Sequence, residues 1–200
     1  MGLTLQERHD NAIKKARAKR RKKKGLEDVV KQLYVHPPVD DYYVTMLDGS
    51  VDYPFQINMD AVKEVRGFID LDADEYEKAK SVYLFMKSKG VTYHCLGQGR
   101  TRDAERAWRE KQGSCFDQTL LYVALARSVG LKTAYYSVSV DYKGKGVNHA
   151  CAGVKIGKDK TVMVDPAYHT FDINHRSITK KTDREVWNLY DMLNNYRQVS

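Results

Sequence analysis

Cys115 is the residue of this sequence best placed to act as a nucleophile. It follows Ser114, a residue type that caps helices, and it precedes a segment that is rich in apolar residues and ends before Gly130. This pattern predicts a buried helix with Cys115 in its first turn, where free backbone N–H groups and the helix dipole stabilise an anion. The thiolate is the reactive form of cysteine, so the position favours nucleophilic chemistry. The alternative is a small core residue, because buried free cysteines are common.

A histidine and an aspartate on a predicted hairpin could complete this chemistry. With a turn centred near residue 157, residues whose numbers sum to about 314 face each other, as His149 and Asp165 do. Directly opposed residues point to the same face, with Cβ atoms about 5 Å apart. A carboxylate there would fix the imidazole tautomer and leave the other ring nitrogen free to face a thiol. Cys115, His149 and Asp165 thus meet the needs of nucleophilic acyl transfer, provided that the hairpin packs against the start of the cysteine helix.

The surrounding patterns predict helices first and then an antiparallel sheet, which is the order of an α+β domain. Asp72 or Asp74 is expected to cap the helix that ends at Lys89, and Thr101 the helix that follows. The last helix is expected to begin at Thr182 or Asp183. The elements predicted in chain order are helices at 72/74–89, 101–111 and 115–129, strands at 134–142, 147–156 and 161–165, and a helix ending at 196.

The net positive charge of the chain comes from its first 24 residues. They hold ten of the 34 Lys and Arg and two of the 26 Asp and Glu, so they carry the whole net charge of +8. Thr4-Leu5-Gln6-Glu7 has the form of a capping box, which predicts a helical arm. We expect this arm to bind a nucleic-acid backbone or a nucleoprotein assembly, the alternative being a solvated tail. The basic residues expected to make the contacts are Lys14, Lys15, Arg17, Lys19, Arg20, Arg21, Lys22, Lys23 and Lys24.

The composition argues against several other classes of protein. Three widely spaced cysteines do not make a disulfide framework, which indicates a reducing, cytoplasmic setting. A place within a nucleoprotein or virion assembly is the alternative location. The sequence has no run of about 18 apolar residues and no apolar signal core, so we expect no membrane insertion or secretion. We expect no cofactor and no metal, since the paired C-x-x-C spacing of structural zinc is missing. A zinc site from Cys115, Cys151, His149 and Asp165 is the disfavoured alternative.

Four motifs follow one another along the chain: Gly113-x-Cys115, Leu125-Ala126-Arg127-Ser128-Val129-Gly130-Leu131, His149-Ala150 and Val164-Asp165-Pro166. Their order and spacing resemble the transglutaminase-like superfamily, whose core is of the papain type. The resemblance covers roughly residues 75 to 170 and implies Cys115 as nucleophile, His149 as general base and acid, and Asp165 as the residue that orients His149. The chain departs from the family pattern at Cys151, where an aromatic residue is common, at Ala167, where Thr is usual, and in lacking a tryptophan shortly before the Asp-Pro step.

The remaining polar residues have weaker expected roles. Gln98 and the backbone N–H of Cys115 are candidates for an oxyanion hole. Cys151 is expected to be a small buried residue near the site, and His169 and His175 are expected on the surface. We divide the chain into a basic arm (1–24), a lead-in segment (25–60) and a transglutaminase-like catalytic domain (61–200).

Two hypotheses for the function follow. The first is a cysteine-dependent acyl-transfer enzyme that acts on peptide or carboxamide bonds of a protein or peptide substrate. Its thioester would pass to water, as in a protease or amidase, or to an amine, as in a protein crosslinker, and the resemblance favours hydrolysis. The second is a non-catalytic, transglutaminase-like structural protein that binds nucleic acid or a nucleoprotein assembly through its arm.

Overall fold

The structure is a computed structural model that describes residues 42–43, 53–94 and 101–195. The predicted arm and Gln98 lie outside these residues. The helices described are α1 (Met59–Phe68), α2 (Glu75–Ser88), α3 (Ala104–Glu110), α4 (Cys115–Ser128) and α5 (Asp183–Asn195), with a 3-10 turn at Tyr53–Phe55. None of the helices in the described ranges is both long and apolar enough to cross a membrane.

A five-stranded antiparallel sheet follows the first four helices. Its strand order is β8-β7-β6-β5-β9, which confirms the predicted α+β class. Two short pairs lie outside it, β1 with β2 antiparallel and β3 with β4 parallel. The strands are β1 (Tyr42–Tyr43), β2 (Ile57–Asn58), β3 (Thr92–Tyr93), β4 (Gln112–Gly113), β5 (Thr133–Val140), β6 (Gly146–Ile156), β7 (Lys160–Asp165), β8 (Thr170–Phe171) and β9 (Ser177–Lys180).

Helix α4 is the centre of the hydrophobic core. Every residue from Phe116 to Ser128 is buried, as the apolar pattern predicted. Helix α2 packs against it, and the hydroxyl of Tyr122 donates a hydrogen bond to the backbone oxygen of Ala79 at 2.9 Å. The sheet meets the start of α4, where the ring of Phe116 lies 5.4 Å from that of Tyr135 on β5. The condition that the sheet packs against the start of the cysteine helix is therefore met.

The caps of two helices test the local predictions. Asp74 caps α2, with its Oδ1 accepting from the backbone N–H of Glu77 at 2.9 Å, as expected. The prediction of Thr101 as the cap of α3 is wrong, because Asp103 accepts from the backbone N–H of Arg106 at 2.7 Å. An N-cap side chain must reach the N–H of the second or third helical residue, and Thr101 precedes the helix by too many residues to do so.

Helix α1 and strand β9 were not predicted from the sequence. Helix α1 buries only Ala61, Val62 and Val65, so its apolar signal is weak. Strand β9 is a short edge strand that pairs with β5. Neither element has a strong pattern of its own, because each depends on the surface against which it packs.

Candidate functional site

Cys115 is the first residue of α4, directly after the capping residue. Ser114 Oγ accepts from the backbone N–H of Asp117, and Asp117 Oδ2 accepts from the backbone N–H of Ser114 at 2.9 Å. At the other end of the helix Gly130 adopts a positive φ of 86°, which glycine tolerates without steric cost. The predicted cap, first turn and stop of the cysteine helix are therefore confirmed. Cys115 itself is half-buried.

Asp117 holds the turn before Cys115 in place. Its carboxylate is 1% exposed, and Oδ1 accepts from the backbone N–H of Arg102 at 3.0 Å. Burial raises the pKa of this carboxyl despite its hydrogen bonds. A side chain at Gly113 would bring its Cβ within 2.6 Å of the Asp117 Cβ, so the close approach requires glycine. Asp117 was not predicted as part of the site, although the Ser-x-x-Asp spacing is the signal of a capping box.

His149 and Asp165 lie within hydrogen-bond distance, but not through the register predicted. His149 Nε2 is 2.6 Å from Asp165 Oδ2, and both side chains are almost fully buried. The expected direct opposition of the two residues is wrong, because Ala152 pairs with Val164 and paired numbers therefore sum to 316. This register sets Cys151 opposite Asp165, and His149 lies two residues away along β6. A shift of two residues keeps both side chains on one face, and a diagonal neighbour remains within reach.

The contact with Asp165 leaves the other nitrogen of His149, Nδ1, for Cys115. Burial alone would lower the pKa of His149. Hydrogen bonds to Asp165 and to Cys115, together with their charges, outweigh this effect and raise the pKa to about 9. The structure thus brings Cys115, His149 and Asp165 together, and the surroundings favour an imidazolium beside the thiol.

Tyr168 covers the imidazole of His149, a role that was not predicted from the sequence. Its ring stacks on His149 with 4.2 Å between centroids and an angle of 16° between planes. Its backbone N–H donates to Asp165 Oδ1 at 2.9 Å. Tyr168 is 37% exposed, so it forms part of the outer wall of the site. The sequence signal for this contact is weak, since it consists of an aromatic residue three positions after Asp165.

The expectation that His175 lies on the surface is wrong. Its side chain has 0% exposure, and Nε2 lies 3.1 Å from Asp165 Oδ2. His175 lies in the segment that joins β8 at one edge of the sheet to β9 at the other. The sequence of this segment does not show that one of its side chains is buried. His169 is exposed, as expected.

Three side chains of this cluster offer ligand atoms within 4.8 Å of one another: His149, Asp165 and His175. Nε2 of His149 and Nε2 of His175 both lie at hydrogen-bond distance from the same oxygen of Asp165. These contacts make the cluster a hydrogen-bonded network around Asp165.

Cys151 is fully buried beside the site. Burial, and then the negative charges of Asp165 and Cys115, raise the pKa of the Cys151 thiol. A thiol held in its neutral form is a poor nucleophile. The prediction of a small buried residue near the site is confirmed.

Comparisons with known proteins bear on the identity of the fold. The family model of the transglutaminase-like superfamily matches residues 64–166. No curated protein sequence matches the chain. Among solved structures, a candidate cysteine protease from Cytophaga hutchinsonii is 18% identical with a TM-score of 0.45, over 62% of this chain and 47% of that chain. A candidate protease from Parabacteroides distasonis is 12% identical with a TM-score of 0.42, over 58% of this chain and 28% of that chain.

This chain therefore spans less than half the length of either solved structure. The family match extends from α1 to the Asp165-Pro166 step, and thus includes every motif that carried the resemblance in the sequence. Because it also covers more than half of the 200 residues, the chain belongs to the transglutaminase-like superfamily.

Proposed function

We propose that this protein is a cysteine-dependent acyl-transfer enzyme that hydrolyses peptide or carboxamide bonds. Cys115 is the nucleophile, His149 the general base and acid, and Asp165 the residue that orients His149. The observation that carries the proposal is the 2.6 Å contact between His149 Nε2 and Asp165 Oδ2, with Cys115 on the remaining nitrogen. A thiolate, a base and an orienter in this order meet the needs of the chemistry.

The reaction starts from the thiolate of Cys115 and the imidazolium of His149. The sulfur attacks the carbonyl carbon, and the oxyanion that forms is stabilised by backbone N–H groups at the start of α4. The carbonyl re-forms as the C–N bond breaks, and His149 gives its proton to the leaving nitrogen. Neutral His149 then takes a proton from water, whose oxygen attacks the thioester and releases the acid. Cys115 leaves as thiolate, and His149 is again protonated.

Water is the acyl acceptor that the surroundings of the site favour. Tyr168, which covers the imidazole, is 37% exposed, and its neighbour Tyr142 is 44% exposed. Solvent therefore reaches the edge of the site where the thioester would wait. Gln98, as a second oxyanion donor, remains a proposal from the sequence.

Labelling of cysteines tests the assignment of the nucleophile. At pH 7 iodoacetamide should modify Cys115 at least about ten-fold faster than Cys151, because Cys151 is buried and held as a thiol while Cys115 is half-buried beside a protonated imidazole. Mass spectrometry of the peptides that contain each cysteine, including Cys95, gives the three rates. Equal and slow labelling of all three would favour the alternative, a structural member of the family without activity.

We also propose that residues 14–24 bind the backbone of a nucleic acid. The support is the charge distribution, since the first 24 residues carry the entire net charge of +8. Deleting residues 1–24 should leave hydrolysis of a small substrate nearly unchanged and weaken binding to nucleic acid. The full chain should lose about one logarithmic unit of affinity per phosphate contact for each ten-fold rise in salt.

A fluorescent single strand and duplex of equal length, titrated at several salt concentrations, measure this effect. The deletion should flatten the dependence of affinity on salt. If the shortened chain keeps the slope of the full chain, the arm is a solvated tail and the proposed partner is wrong.

A further inference from the structure

The proposed reaction leaves one buried histidine of the cluster without a role. His175 Nε2 lies 3.1 Å from Asp165 Oδ2, the oxygen that also lies 2.6 Å from His149 Nε2. Its side chain has 0% exposure. Two imidazoles thus share one carboxylate oxygen in a place that solvent does not reach.

The hydrogen bonds of His175 determine where its proton lies. A carboxylate oxygen only accepts, so Nε2 of His175 carries the hydrogen that faces Asp165. Nδ1 is buried with no hydrogen-bond partner in the part of the chain that the structure describes. His175 is therefore a second hydrogen-bond donor to Asp165.

The backbone holds His175 at this point from both sides. Ile173 donates its N–H to the backbone oxygen of Met163 on β7, and Arg176 donates to that of Val140 on β5, both at 3.1 Å. The segment between them crosses from one strand to the other over the end of β6. Backbone hydrogen bonds to the sheet on both sides of His175 therefore fix its position.

We propose that His175 is a positioning residue that acts through Asp165 on His149, an inference that rests on the proposed function of the triad. Two donors on one oxygen share its negative charge, so each is held less strongly than it would be alone. The donor from His175 therefore limits how tightly Asp165 holds the proton of His149. General acid–base catalysis is most efficient when the group both takes and releases its proton near the working pH, and this sharing serves that need.

Several other titratable groups face His175, and they stay the same in every variant below. The rings of Tyr142 and Tyr168 lie 6.3 and 6.0 Å from the ring of His175 between centroids. The carboxylate of Asp141 interacts with His175 through its charge. Within the described residues, these groups are Asp165, His149, Tyr142, Tyr168 and Asp141.

Two substitutions of similar size separate the effect of the hydrogen bond from the effect of the volume of the His175 side chain. His175→Leu removes the donor, and His175→Gln offers an amide N–H to Asp165 in its place. Both are made in a Cys115→Ala background, so that the thiolate does not influence the titration. The NMR resonance of the His149 C2–H, followed across pH, reports its proton affinity directly. Replacing the exposed His169 by Asn is the matched control.

Without the donor, Asp165 should hold the His149 proton more tightly. We expect the titration midpoint of His149 to rise by about half to one pH unit in His175→Leu, and to stay near the parental value in His175→Gln and in the His169→Asn control. With Cys115 restored, His175→Leu should also slow acyl transfer by about ten-fold, and His175→Gln should recover most of the rate.

A midpoint that is unchanged or lower in His175→Leu overturns the proposal, as does a glutamine variant that titrates like the leucine variant. A role in folding alone would lower the melting temperature without moving the midpoint. His175→Ala provides the same comparison if the leucine variant does not fold. If Cys115 of the wild-type chain is inert, the proposed function fails, but the titration still decides whether His175 acts on His149.

Discussion

Cys115→Ala should reduce acyl transfer by a factor on the order of a million, since removal of a covalent nucleophile leaves only the contributions of binding and of the oxyanion site. The fold should persist, because Cys115 is half-buried and the cap that starts α4 is made by Ser114 and Asp117. Release of a fluorescent amine from peptide amides measures the rate, with the wild-type chain beside it. Thermal unfolding monitored by circular dichroism measures the stability.

Cys151→Ala is the matched control for this substitution. It removes the same sulfur atom from a buried position on β6, so it should lower the stability and leave most of the activity. Activity of Cys115→Ala above a trace, or a loss in Cys151→Ala that equals it, would place the nucleophile elsewhere.

Asp165→Asn should reduce acyl transfer by roughly a thousand- to ten-thousand-fold, less completely than loss of the nucleophile. The amide keeps the shape of the carboxylate but not the charge that holds the imidazolium. Burial lowers the pKa of His149, and the hydrogen bond and charge of Asp165 are among the effects that raise it to about 9. In the variant this pKa should fall. Activity needs protonated His149 to expel the leaving group, so the decline of the rate at high pH should begin at a lower pH.

A full pH profile of the rate is the measurement for this variant, and Asp117→Asn is its control. Asp117 is a similarly buried carboxylate, 1% exposed, that caps α4 and accepts hydrogen bonds from the backbone N–H groups of Ser114 and Arg102. Its substitution should cost stability and leave the high-pH decline where it is in the wild-type chain. A wild-type profile in Asp165→Asn would show that Asp165 does not orient His149.

The local parts of the candidate site could be predicted from the sequence alone. The cap at Ser114, the place of Cys115 in the first turn and the stop at Gly130 depend on residues within one helix and its ends. Such signals act over three or four residues and need no knowledge of packing partners. The predicted hairpin likewise placed His149 and Asp165 on one face, although in another register.

The register of that hairpin could not be predicted from the sequence. The loop comprises residues 157–159, with Gly157 at a positive φ of 59° and Lys160 already paired with Ile156 on the neighbouring strand. The centre therefore lies one residue later than the turn signal suggested, and each pairing shifts by two residues. Loop length sets register, and the sequence Gly157-Lys158-Asp159-Lys160 fits more than one length. The predicted contact between His149 and Asp165 forms despite the wrong register, because a shift of two residues leaves both side chains on the same face of the sheet.

The surroundings of Asp165 were decided by the tertiary structure as well. His175 and Tyr168 lie in segments without a periodic pattern, and nothing in those segments signals that one side chain is buried and the other stacks on an imidazole. His175 is held there because its neighbours bond to β7 and β5, strands that are ten or more residues away along the chain. Burial of a loop residue depends on which strands the loop crosses. That crossing follows from the packing of the whole sheet and not from the residues of the loop.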